Sequence, residues 1–484
     1  MKKIKFLMFG TLIFSLVAIA VGASFLMTGT TATRPQKTFD VYMADAEIYL
    51  DDGDYYKAIV LYESALDEEC QNIDALQGLA SVYSRQMNYK KEQEIRQQLA
   101  ELVPDDLNNQ IRLVEIEINL GELDAAKALT EQLMDVYDSK ELKSLYAEMN
   151  IDAPVFNIAS GAYDDYQLLL LTNAYNNAYV RYTTDGNEPT IDSQLYSDGI
   201  VISYPETVIR AKAFGALGYM SEEIRLDFTI TKPTEVISSR NYNGYSDTLY
   251  RIGNNILNKT WDSDIYNYEM AQIRELYILG NYNVSSEPVT ATFCNGYYNM
   301  YESRYTEMGD FNLDFVTYTP FLKTLSVGYQ NELDLTPLAN LHYIENLSLL
   351  NDGITDISPL SGLTTLKMLA LGWNSISDVS PLFALNELES LGLWNNQLSD
   401  IGGLENLSQL TYLDIAYNVV TQIDCVSQMP NMNELWINNN RISDISSLGG
   451  CTKLMVLMQD NNQIDDYSPI KDIANQLYKS DVNW

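Results

Sequence analysis

The chain has 484 residues, with 30 Lys+Arg against 66 Asp+Glu, a formal charge of −36 at pH 7. That length suits about three or four domains, and a hydrophobic fraction of 46% excludes wholesale disorder. The acidic balance repels phosphate backbones, so no nucleic-acid partner is expected.

Lys2, Lys3 and Lys5 precede an apolar run from Phe6 to Met27, and no charge follows until Arg34. Such a run is long enough to span a bilayer core of about 30 Å. Positive charge before it places the N-terminus inside and the rest outside. A cleaved signal peptide, cut near Val21-Gly22-Ala23, is the rival reading. No cysteine follows the run, so a lipoprotein anchor is not expected. Residues 1–35 are therefore expected to be a membrane anchor or signal segment. Either way residues 36–484 lie outside the cytoplasm, as a surface-tethered or secreted protein.

Residues 36–149 read as helical hairpins at a period of 34. Ala46, Tyr49, Gly53, Ala58, Tyr62 and Ala65 set one register. Adding 34 gives Ala80, Tyr83, Met87, Glu92, Arg96 and Leu99, and then Val114, Glu117, Gly121, Ala126, Thr130 and Leu133. Small residues let paired helices approach, and tyrosine fills the gap between them. This pattern resembles the tetratricopeptide repeat family. The resemblance implies a superhelix whose groove holds an extended peptide, or else a spacer.

The pattern turns from helical to alternating at Pro154, and residues 150–231 read as a small β-sandwich. Ile209, Ala211 and Ala213 alternate with Arg210 and Lys212, as on a half-buried strand. Tyr182, Thr183, Asp185, Gly186, Pro189, Thr190, Ser193 and Tyr196 resemble the chitobiase/β-hexosaminidase C-terminal-type domain. That resemblance implies an Ig-like accessory domain, not the catalytic part of those glycosidases. Asp185 and Glu188 are two nearby carboxylates, but a turn aspartate bonding its own backbone is the expected role of Asp185.

Residues 232–321 read as a tyrosine-rich bridge and solenoid cap. A short helix is expected at 246–259, and Ile273, Leu276 and Ile278 have repeat-strand spacing. Tyr282, Tyr297, Tyr298, Tyr301 and Tyr305 are expected to pack within the cap.

Residues 322–484 repeat every 22. Leu347-x-Leu349, Leu369-x-Leu371, Leu391-x-Leu393, Leu413-x-Ile415 and Leu435-x-Ile437 are followed in step by Asn374, Asn396, Asn418, Asn440 and Asn462, with Asp352 one unit earlier. No coil has a core of its own, so stacked coils share one apolar column. The asparagines are expected to bond backbone groups that the turns leave unpaired. These units resemble the leucine-rich repeats of the internalin family, bacterial surface proteins. The resemblance implies a curved solenoid with a parallel sheet on its concave side. No LPxTG wall-sorting signal is present, and the tail to Trp484 is expected to be the C-cap.

On the strand positions that point outward, Trp394, Tyr412 and Trp436 are expected to cluster as an exposed patch beside Asp414 and Glu434, with Trp373 one position further along. Large exposed aromatics mark partner sites.

The expected fold class is multidomain: an N-terminal transmembrane helix, all-α tetratricopeptide-like repeats, a small Ig-like β-sandwich and a C-terminal leucine-rich-repeat solenoid. No nucleophile–base pair or phosphate loop is evident. One histidine and four scattered cysteines without a CxxC pair supply no zinc motif. No catalytic residue, metal or cofactor is therefore expected. The cysteines (Cys70, Cys294, Cys425, Cys451) read as buried free thiols. The expected function is non-enzymatic adhesion or protein–protein interaction at the cell surface, with a protein ligand on the concave face. The alternative is a carbohydrate- or cell-wall-binding protein.

Overall fold

The computed structural model describes residues 38–175, 177–238, 256–257, 259–260, 263–279, 290–293, 296–299, 305–307, 312–330 and 332–481. The expected membrane segment at 1–35, most of the expected helix at 246–259, Cys294, Tyr282, Tyr301 and Trp484 lie outside these residues. Among the described residues no helix is long and apolar enough to cross a membrane. The chain divides into two compact units between Tyr146 and Ala147.

The first unit is helical: α1 Phe39–Asp51, α2 Tyr55–Glu68, α3 Ile73–Arg85, α4 Tyr89–Leu102, α5 Leu107–Asn119 and α6 Leu123–Met134, with α7 Lys140–Met149 running across the boundary. The 34-residue register is visible in the backbone. Gly53, Met87 and Gly121, which stand 34 apart, all take a left-handed φ, at 78°, 53° and 77°. Each ends the first helix of a hairpin. Asp54 and Asn88 then cap the second helices by accepting the N–H of Lys57 and Lys91. Tyr62 is buried against Gly78, where a Cβ would lie 2.3 Å from the tyrosine ring. Only glycine allows this approach of α2 to α3.

One register position departs from its neighbours. Ala58 and Ala126 are buried small residues, but Glu92 stands between them and is equally buried. Its Oε1 accepts from Arg96 Nε and Arg112 Nε, both at 2.8 Å, and its Oε2 from Arg112 Nη2 at 3.0 Å. Burial would raise this carboxyl, but the two arginines outweigh it and hold it below the ordinary range.

The second unit opens with β1 Gly161–Tyr163, β2 Gln167–Leu169, β3 Ala178–Thr183, β4 Gln194–Leu195, β5 Ile200–Ile202, β6 Glu206–Gly215 and β7 Ile224–Ile230. Five strands form one sheet in the order β1-β7-β6-β3-β4, and β2 pairs with β5 as a second layer. Leu169, Ile202, Ile209, Ala211 and Phe228 share the core between them. Asp185 accepts the Asn187 N–H at 3.0 Å, the turn role expected of it.

A parallel sheet then runs through Glu275–Leu279, Thr324–Gly328, Asn346–Leu350, Met368–Ala370, Ser390–Gly392, Tyr412–Asp414, Glu434–Trp436, Val456–Met458 and Lys479–Ser480. Its first strand, Glu275–Leu279, carries Leu276 and Ile278, the repeat-spaced residues of the stretch read as bridge and cap. Tyr305–Glu307 pairs with the outer edge of its first strand. Tyr297 and Tyr298 lie in a hairpin, Thr290–Phe293 with Gly296–Asn299. The bridge also joins the sandwich: Ala271 and Phe321 lie in the sandwich core. Gln272 Nε2 donates to Ser203 Oγ at 2.7 Å, while Arg274 and Lys323 pair with Asp198 at 2.9 and 2.8 Å.

The asparagines act as expected. Asn418 Oδ1 accepts the Leu398 N–H at 2.9 Å, and its Nδ2 donates to the carbonyls of Leu393, Ile415 and Ala416 at 3.0, 2.9 and 3.2 Å. Asn374, Asn396, Asn440 and Asn462 repeat this pattern. On the next turn Asp334, Asp356, Asp378, Asp400, Asp444 and Asp466 each accept the N–H two residues on. Cys425 and Cys451 are buried free thiols, whereas Cys70 is exposed, contrary to expectation, because it sits in the polar turn after α2.

Asp352 is the aspartate of the asparagine ladder and is 0% exposed. Its Oδ1 accepts the Gln330 N–H at 2.9 Å, but its Oδ2 has no partner. By the repeat, that oxygen stands where each asparagine points an N–H at carbonyls. A protonated carboxyl suits the place and a carboxylate does not. Burial pushes the group up to about 7, only partly opposed by the Gln330 N–H. The neutral form is thus stabilised in the fold. Its contribution is present below the unfolded value near 3.8 and is lost as pH rises through about 7. Asp352→Asn should therefore be more stable than the parent at pH 8, by up to about 4 kcal/mol. The gain should shrink toward pH 4, as measured by urea denaturation of both chains across that range.

Candidate protein-binding face

Register sets the face. Each strand contributes one residue before, one between and one after its two inward leucines, and each lies about 4.8 Å from its counterpart on the next coil. Pairing aligns Ser390, Tyr412, Glu434 and Val456 in one column and Ala370, Gly392, Asp414, Trp436 and Met458 in the next.

The predicted residues are brought together on three adjacent coils, but not as an exposed trio. Trp394, Tyr412 and Trp436 are half-buried, as are Asp414 and Glu434. The reason is visible for Trp394. Its indole lies flat over Gly372 and Gly392, where an added Cβ would fall 2.2 and 2.4 Å from ring carbons. Two glycines on neighbouring coils make the bed in which it rests. Trp436 carries the ammonium of Lys479 at 4.4 Å from its ring centre, a cation–π contact that the sequence reading missed. Its Nε1 has no hydrogen-bond partner, and neither have Ser348 Oγ, Ser390 Oγ and Asn438 Oδ1 on the same face.

Asp414 Oδ1 accepts the Ala416 N–H at 2.9 Å, and Tyr412 Oη lies 3.5 Å from Oδ2. Burial pushes this carboxyl up to about 6 against both hydrogen bonds.

At the strand ends, Trp373 and Tyr417 are exposed, at 59% and 57%. Both have a left-handed φ, 61° and 56°. They belong to a row at the strand ends: Tyr329, Asn351, Trp373, Asn395, Tyr417, Asn439 and Asn461, all at positive φ. Asparagine tolerates this backbone, and bulky residues rarely do. Tyr417 takes the same strand-end position as Trp373, two coils on, and nothing in the sequence marks either backbone as strained.

The helical unit has a second recess. A polar groove of about 520 Å³ is lined by Gln77, Ser81, Arg96, Asn109, Arg112 and Glu115, among others. Its arginines are already held by Glu92 and Glu115. Among the described residues no group of three or more His, Cys, Asp or Glu side chains is placed to hold a metal ion.

The stacked coils form a solenoid with aromatic side chains on its sheet face, and helical hairpins and a β-domain precede it in the chain. Comparison with known families matches two of the three resemblances. The Chitobiase/beta-hexosaminidase C-terminal domain family matches residues 158–224, and Leucine Rich repeats (2 copies) match residues 386–428 and 430–472. The first is the C-terminal domain of those enzymes, not the catalytic one. Similar solved structures include internalin C2 of Listeria monocytogenes, 25% identical with a TM-score of 0.41, covering 51% of this chain and 100% of that one. The internalin inlF of the same organism is 20% identical with a TM-score of 0.25, covering 49% and 95%. The plant peptide hormone receptor RGFR1, solved in complex with RGF2, is 25% identical with a TM-score of 0.30, covering 34% and 28%. Among curated proteins none matches the chain.

If Trp373 and Tyr417 are kept for contact and not for stability, replacing them should help the fold. Trp373→Asn and Tyr417→Asn should each stabilise the chain by about 1 kcal/mol, since the left-handed backbone is relieved. Thermal melts of the two variants check this, and a loss of stability in both would show that the rings are packed for support.

Proposed function

We propose that this chain is a non-enzymatic adhesion or interaction protein that binds a partner protein through the sheet face of its solenoid. Its N-terminal segment holds it at the cell surface, outside the cytoplasm. One observation carries the binding reading. Trp373, Trp394, Tyr412, Tyr417 and Trp436 crowd onto four consecutive coils, with two of the five widely exposed in a strained backbone. Trp and Tyr supply much contact area at little entropic cost, and they dominate binding hot spots. The unpartnered polar atoms of Ser390, Trp436 and Asn438 lie among them.

The tether rests on the sequence of residues 1–35, a basic start followed by an apolar run. The hairpins of the first unit resemble tetratricopeptide repeats in period and turn geometry. They serve as a spacer or as a second peptide groove. A glycan partner draws on the chitobiase-type domain and on Tyr268, which stacks on Tyr266 and is tilted against Tyr204.

The test is capture by the full-length chain from a surface-protein extract and, separately, from cell-wall glycan. A variant carrying Trp394→Ala, Tyr412→Ala and Trp436→Ala runs alongside. Protein retained by the parent and lost by the variant supports the sheet-face reading. Equal capture by both overturns it, and retention of glycan alone transfers the function to the β-domain.

A further inference from the structure

Asp414 holds a carboxyl among the aromatic positions of the sheet face. Gly392 and Trp436 stand beside it on the adjoining strands, and Tyr412 and Ala416 flank it along its own. Beyond Gly392, and resting on it, lies the Trp394 indole. Among the described residues no lysine or arginine makes an ion pair with Asp414, whose oxygens are met only by the Ala416 N–H and the distant Tyr412 hydroxyl. A half-buried carboxylate without a counter-ion is costly. Electron-rich ring faces around it are attractive to a cation and to no anion.

The chain itself shows what such a ring accepts. Lys479, two strands beyond Trp436, places its ammonium 4.4 Å from that ring's centre. The other charges of the neighbourhood have the opposite sign. Across the outward positions of the last strands, Asp414, Glu434 and Asp460 stand against the single base Lys479. The whole chain carries −36. The field thus favours a basic partner over an acidic one.

Building on the protein-binding reading of this face, we propose that Asp414, Tyr412, Trp394 and Trp436 form a seat for a lysine or arginine side chain on a basic segment of the partner protein. Lys479 is the resident cation that shares the Trp436 ring with the guest. The carboxylate supplies charge, and the rings supply desolvation and orientation. The acidic balance of the outward positions disfavours an acidic guest.

The probe is an acetylated tri-arginine peptide, with tri-lysine beside it and triglutamate and triserine as controls. Binding to the full-length chain is read by calorimetry and by tryptophan fluorescence. The cationic peptides should saturate one site, and the controls should not. Asp414→Asn should weaken them by about tenfold, and Asp414→Glu should restore most of the loss. Lys479→Met, which frees the ring, should tighten them by about threefold. Glu387→Gln removes the same charge from an exposed loop away from the face, and it should leave affinity unchanged. Equal weakening by Asp414→Asn and Glu387→Gln would mean that the overall field attracts the peptide, and this overturns the seat. Unsaturable binding, or none, overturns it too. The parent reading fails separately. Partner capture that is lost in the triple aromatic variant but kept in Asp414→Asn leaves the protein-binding face intact and removes the cationic seat.

Discussion

Every coil of the solenoid must turn sharply inside its own apolar column, and each turn leaves backbone groups facing hydrocarbon. An unpaired peptide group there costs more than a leucine gains. The asparagine ladder meets this constraint. One side chain accepts an N–H from the coil before it and donates to carbonyls of that coil and its own, as Asn418 does with Leu398, Leu393 and Ile415. The amide suits the position because it is acceptor and donor at once. Leucines fill the column, but the asparagines allow the chain to turn within it. The aspartates that open the short 3-10 helices do the same for the opposite turn, where water is at hand and a charge is tolerated.

Once the ladder fixes the coil, the sheet face follows without further choice. Parallel strands in strict register place equivalent residues side by side, so a face is written one residue per coil. What varies is the fate of each side chain, which depends on what the neighbours leave empty. Trp394 folds down because Gly372 and Gly392 leave room. Trp373 and Tyr417 stand out because a left-handed backbone at the strand end points them away from the column.

This divides what the sequence makes legible from what it does not. Periods of 34 and 22 are visible because each is a packing rule repeated: small residues at Ala46, Ala58 and Ala80, paired leucines at Leu369 and Leu371. The positions of Trp394, Tyr412 and Trp436 on one face follow from the same period. Their half-burial does not, since it needs the side-chain volumes of residues one coil away. Lys479 escaped notice because its reach to Trp436 crosses two strands. Glu92 interrupts the small residues of its register position, and what satisfies it, Arg112, stands 20 residues on. The edge pairing of Tyr305–Glu307 with the first solenoid strand has no local signature at all.

The seam between the β-domain and the solenoid bears on inheritance. Ala271 and Phe321 flank the solenoid's entry in sequence, but they pack in the sandwich core. Asp198 of the sandwich is neutralised by Arg274 and Lys323 from the solenoid side. The sandwich does not close its core with its own residues alone. The boundaries along which such domains are shuffled between genes therefore do not coincide with the boundaries of cooperative melting. A sandwich recombined onto another solenoid must bring matching seam residues with it. The two modules of this chain are bound to be lost, exchanged or stabilised as one piece.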